Sequence, residues 1–117
     1  MAVLDIILLK ELITSPVTVN SNYESEVIDI SFTENDFSVQ VVYEGGINVD
    51  MEVFIAVSND KVNFSRIPLS AQSIEDENGS IVFDVASSGA VYMRVEIEVT
   101  DGSIDLQNIS YRAKRRH

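Results

Sequence analysis

The stretch Val91–Val99 alternates without a break, and this constrains the fold more than any other feature of the chain. Val91, Met93, Val95, Ile97 and Val99 point one way, while Tyr92, Arg94, Glu96 and Glu98 point the other. Nine residues of period two define a strand with one buried and one wet face. A helix would scatter the same side chains around its circumference, and β-branched residues disfavour it further. The pattern recurs. Met51–Ser58 places Met51, Val53, Ile55 and Val57 on one face, with Phe54 among the residues on the other. Phe37–Tyr43, Val27–Phe32 (Ile28, Ile30 and Phe32 inward) and Ile81–Val85 read the same way. Ile104–Tyr111 changes parity between Leu106 and Ile109, which predicts a bulge near Gln107–Asn108.

Turn-forming residues fall between these runs: Glu44-Gly45-Gly46, Ser58-Asn59-Asp60, Glu77-Asn78-Gly79, Ser87-Ser88-Gly89 and Asp101-Gly102. Asn78-Gly79 and Asp101-Gly102 carry hairpin chemistry, the latter expected to join the last two strands. With 117 residues there is room for one core. The expectation is therefore an all-β chain, a single jelly-roll-like β-sandwich of about seven or eight antiparallel strands. Residues 1–22 read as an N-terminal arm or edge strand, residues 23–111 as the sandwich and residues 112–117 as a basic tail. Val3–Leu12 suits a helix or a strand, and the β character of the rest favours the strand. Val3–Leu9 is interrupted by Asp5 and has neither a basic lead nor a cleavage site, so it reads as structure rather than a secretion signal.

Charge narrows the partners. The chain carries 19 acids against 8 bases, a net −11. Arg112, Lys114, Arg115 and Arg116 crowd the last positions, so the body before them is more acidic still. An acidic body repels phosphate, so direct nucleic-acid binding is not expected. No run is long and apolar enough to imply a membrane partner. Basic residues at one end of an acidic body suit contact with an acidic neighbour, another copy included.

Catalytic chemistry has little to work with. Cysteine is absent, and the one histidine is His117. Neither a thiol nucleophile nor a His-based triad follows from one chain. Carboxylates lie in turns (Glu75-Asp76-Glu77) or on wet strand faces (Glu96, Glu98), where solvation is their ordinary role. Asn59 and Asp60 supply only part of a calcium set, and no cofactor is implied. Sugar-binding sandwiches offer aromatic platforms. Here there is no Trp, and Tyr92 and Tyr23 are the exposed candidates, a weak case for a glycan.

One order of features is similar to a known group. It begins with the opening strand Val27–Ser31 and the strand Phe37–Gly45 with its Gly turn. Val57-Ser58-Asn59-Asp60-Lys61-Val62-Asn63-Phe64 then leads into Ile67-Pro68. Tyr92-Met93-Arg94-Val95 through Thr100-Asp101-Gly102-Ser103-Ile104 closes the series. Together, over Ser25–Tyr111, they resemble a small β-sandwich of tailed-phage virion proteins. In that pattern Phe64 returns to plug the sandwich edge and Arg94 faces outward. The resemblance implies a structural role: a capsid decoration or auxiliary protein, a head-fibre subunit or a tail accessory. Such a subunit is assembled in the host cytoplasm, resides in the virion, and contacts other virion proteins and itself as a homo-oligomer. It brings no catalytic residues. The expected assembly contacts are Ile7 and Leu8 in the N-terminal segment, Phe54 and Tyr92 on wet strand faces, and Arg112, Lys114, Arg115 and Arg116. The alternative is a β-sandwich module that binds a carbohydrate or other ligand on a particle or cell surface.

Overall fold

A computed structural model describes residues 7–13, 15–67, 70–86 and 89–115. Every regular element among them is a strand: β1 (Ile7–Ile13), β2 (Val17–Val19), β3 (Tyr23–Glu24), β4 (Ile28–Asp29), β5 (Thr33–Ser58), β6 (Ser65–Arg66), β7 (Gln72–Ile74), β8 (Gly79–Val85) and β9 (Tyr92–Arg115). All pairings are antiparallel and belong to one hydrogen-bonded sheet. Its spine is the pair β5–β9, in register from Thr33↔Arg115 to Ser58↔Tyr92.

β5 has 26 residues. Laid straight it would span roughly 85 Å, yet the longest dimension of the molecule is 53 Å. The strands therefore bend. Register shifts and left-handed residues mark where: Gly45 (φ 67), Asn48 (φ 50) and Gly102 (φ 81) lie in the middle of β5 and β9. At Gly102 an added Cβ would run into the carbonyl oxygens of Ile47 and Asn48. Only glycine fits there.

The bend divides the sheet into two layers. The first holds β1 and β2, then residues 104–115, residues 33–44 and β8. The second holds β3 and β4, then residues 92–99, residues 51–58, and β6 with β7. Each of the four chain segments, 7–29, 33–58, 65–85 and 92–115, crosses from one layer to the other. The spatial order is first, fourth, second, third. This is jelly-roll connectivity, a folded four-stranded ribbon that makes eight strands in two sheets. The inward residues of both layers form one cluster, with Val39, Val41, Val53, Ile55, Met93, Val95, Leu106 and Ile109 fully buried. At the end away from the bend, the Thr33 hydroxyl donates to the Ile30 carbonyl (2.9 Å) and accepts from the Tyr111 hydroxyl (2.8 Å).

The sandwich expectation holds, and so does the bulge: Val42 faces Asn108 and Tyr43 faces Leu106, leaving Gln107 extra. Three readings change. Neither Asn78-Gly79 nor Asp101-Gly102 makes a hairpin. Both sit at the bend; Gly102 turns its segment at positive φ, whereas Asn78-Gly79 leads into β8 without one. Phe32 is not inward but 47 % exposed, because the chain leaves strand geometry after Asp29. Ile7–Ile13 forms the edge strand β1 along β9 of its own chain, and β9 runs through Arg112 and Lys114 to Arg115, so these basic residues lie in the sheet rather than in a tail.

Candidate functional site

The outer face of the second layer carries the densest polar structure. Ala56, fully buried, lies opposite Arg94 on one side and Arg66 on the other. Its small side chain leaves room for two guanidinium groups. Between them stands Glu96, its side chain 11 % exposed. Arg66 Nε donates to Glu96 Oε1 (2.9 Å) and Arg94 Nε to Oε2 (2.8 Å). The outer ends reach further: Arg66 Nη1 donates to Glu98 Oε2 (2.8 Å), and Arg94 Nη1 stands 3.3 Å from Glu24 Oε2. Burial pushes the Glu96 carboxyl up. The two arginine hydrogen bonds and charges together outweigh it and hold the group below its ordinary value. Each guanidinium also lies over an aromatic ring, Arg66 on Phe54 and Arg94 on Phe64, both 4.0 Å from the centroid.

This assembly corrects three expectations. Glu96 is not a solvated carboxylate. Phe64 covers an arginine on the outer face and lies outside the core cluster rather than plugging an edge. Phe54, expected to need cover from a neighbour, is covered by Arg66 of its own chain.

Beside this face runs the loop 59–64. The Asp60 carboxylate accepts from the backbone of Val62 and Asn63, from Asn63 Nδ2 and from the Ser58 hydroxyl. Those bonds, led by Asn63, hold it far below the usual carboxylate range. Its lone pairs stabilise the turn. Among the described residues no three acids or histidines converge as a metal site. Lys61 lies 5.8 Å over the ring of Tyr92, and Tyr23 packs half-buried against the core.

Arg112 and Lys114 lie on the first layer, exposed, along a groove of about 390 Å³ whose floor includes Phe37, Val85 and Ala113. Glu34, Asp36 and Asp84 share its rim. The side chains of Ile7, Leu8 and Arg115, and all of Arg116, lie outside the described residues. The structure thus brings Arg112 and Lys114 together and places Phe54 and Tyr92 on the opposite layer.

The outer face of the first layer is of another kind. Its outward positions are Ser38, Gln40 and Val42 on β5, Asn108 and Ser110 on β9, and Ser80 and Val82 on β8. None is charged. Charge stands only at the ends and edges: Arg112 and Asp84 at one end, Glu44 and Asp105 at the other, Glu11 on β1. Sequence reasoning did not assemble this face, because its neutrality appears only when three distant segments are laid side by side. The outward parity of Ser38, Gln40 and Val42 was the available signal.

No known protein family and no curated protein sequence matches the chain. Solved structures do. The SPBc2 prophage-derived protein YomS superposes with a TM-score of 0.60 at 12 % identity over 97 % of each chain. The CBM22-1 xylan-binding domain from Paenibacillus barcinonensis Xyn10C gives 0.56 at 6 % identity over 100 % of both. A subunit of the disulfide-linked pili of Bacillus endospore appendages gives 0.53 at 11 % identity, over 97 % of this chain and 92 % of that one. At these identities the likeness establishes the β-sandwich fold and nothing finer.

Proposed function

We propose that this chain is a non-catalytic structural subunit of a phage-type particle, assembled in the host cytoplasm, that works by docking its sheet surfaces against other proteins. The observation that carries the reading is the contrast between the two outer faces. On the second layer, Phe54, Phe64 and Tyr92 each have a cation over the ring, so none offers a bare platform to a sugar. On the first layer, an acidic protein presents a broad uncharged surface with two aliphatic side chains. Neutral surface is what another acidic protein approaches without Coulomb penalty. The shared fold with a prophage-derived protein supports the same reading.

The test is peptide mass spectrometry of gradient-purified particles from cells expressing the gene. The expected result is the chain at several copies per particle. Its absence from particles, or turnover of any polysaccharide by the pure protein, refutes the reading. The shared fold with a xylan-binding domain favours a second reading, a glycan-binding module. Retardation of the native protein in a xylan gel that is lost in Tyr92→Ala would establish it.

A further inference from the structure

We infer that the outer face of the first layer pairs with the same face of a second copy, about a two-fold axis that crosses the strands in the plane of the interface. The inference rests on the proposed docking role and names the partner.

The argument starts from where charge stands on the face. Along β9 the outward residues run Arg112, Ser110, Asn108 and then, past the bulge, Asp105. Along β5 they run Ser38, Gln40, Val42, Glu44, with Arg112 opposite Ser38 and Asp105 opposite Glu44. Arg112 and the Asp105–Glu44 pair lie about six residues apart, roughly 20 Å at strand spacing, and only uncharged side chains lie between them on the two central strands. A surface of this kind is self-complementary under one two-fold. Turning a second copy end for end lays Arg112 of each over the Asp105–Glu44 pair of the other, and serine and amide groups meet in the middle. The other in-plane two-fold, parallel to the strands, stacks arginine near arginine and acid near acid. Charge selects the first.

The apolar positions agree. Val82, 52 % exposed, lies near the middle of β8 and meets its counterpart close to the axis. Leu9, 64 % exposed, stands on β1 beside Arg112. Glu11, in the row of Val82, meets its counterpart near the axis, and Asp84 stands in the row of Arg112; both lie on edge strands, where solvent screens them. Four strands by seven residues present roughly 450 Å² in projection, about half of what each partner of a standard interface buries. An interface of this size belongs to the weak, transient class, so the dimer is expected only at high protein concentration.

Sedimentation velocity of the purified full chain, from about 1 to 200 µM, reads the equilibrium. The expected result is concentration-dependent dimerisation that weakens at high salt. Arg112→Glu alone places four carboxylates at each contact pair or beside it, and Glu44→Arg alone faces Arg against Arg. Each variant alone loses at least tenfold in affinity, while an equimolar mixture of the two recovers heterodimer in part, because one contact is native again and at the other the introduced carboxylate gains the introduced guanidinium beside Asp105. Equal melting temperatures of the variants and the native chain show that folding is intact, and the mixture's recovery shows it independently. A native chain that stays monomeric at about 200 µM overturns the inference. So does a dimer indifferent to Arg112→Glu, or a mixture that fails to recover. Particle content separates the two proposals: a chain found in particles yet monomeric alone refutes this pairing and leaves the subunit role standing.

Discussion

Glu96→Ala removes the centre of the polar lattice on the second layer, and its cost follows from the geometry. Glu96 accepts one charge-assisted hydrogen bond from each of Arg66 and Arg94, and its side chain is 11 % exposed. Such bonds contribute about 1.5–3 kcal/mol each when buried, and removing one partner of a fully buried pair costs about 3–5 kcal/mol. Two features reduce the figure here. Arg66 is 41 % exposed, and each arginine keeps a second carboxylate, Glu98 and Glu24. The net expectation is about 2 kcal/mol at neutral pH, or roughly 8 °C in Tm for a domain of this size. The pH dependence has a definite sign. The folded-state carboxyl lies below its ordinary value, so its contribution is complete above the unfolded value of about 4.3 and is lost as pH falls through the folded value. Urea denaturation of the native chain and of Glu96→Ala, at pH 7 and again near pH 3, reads both quantities. The gap should narrow at low pH and should persist at pH 7 in about 0.5 M salt, since the pair is shielded from solvent. A difference under about 0.5 kcal/mol at pH 7, or one unchanged at pH 3, would refute the reasoning and reduce the lattice to a solvated surface network.

Other substitutions probe other links. Gly102→Ala forces a Cβ against two carbonyl oxygens at positive φ, and should cost at least about 2 kcal/mol by urea denaturation. Gly89→Ala, with open space around it, should change stability by less than about 0.5 kcal/mol. Tyr111→Phe removes the hydroxyl that meets Thr33, while Thr33 keeps its bond to Ile30, so the loss should be about 1 kcal/mol in the same assay. Glu98→Gln removes only the exposed end of the lattice and should cost under about 0.5 kcal/mol, vanishing in high salt.

The sandwich itself was legible in the chain because alternation is local. Steric preference and the two-residue pleat place Val91, Met93, Val95, Ile97 and Val99 on one side whatever the strand pairs with, and the core is built from such sets. The bulge at Gln107 was legible for the same reason, since inward residues can change parity within a paired strand only where one residue is left over. The turn residues were half legible. Gly45, Asn78 and Gly102 marked where the ribbon departs from straight strand, but residues that favour positive φ serve a reversal and a bend between layers equally well. Which of the two occurs depends on what lies alongside, and that is a property of the whole ribbon.

Everything that bears on function lies on the second side of that divide. Arg66 reaches Glu96 across thirty residues through a two-residue strand no pattern announces, and only that contact turns an apparently solvated acid into a buried one and covers Phe54. The neutral face of the first layer is assembled from β5, β8 and β9, each of which carries charge elsewhere along its length. Alternation along a strand decides which side a residue takes. Pairing across strands decides its neighbours, and on this molecule the neighbours determine which surface is closed by its own ion pairs and which is left neutral.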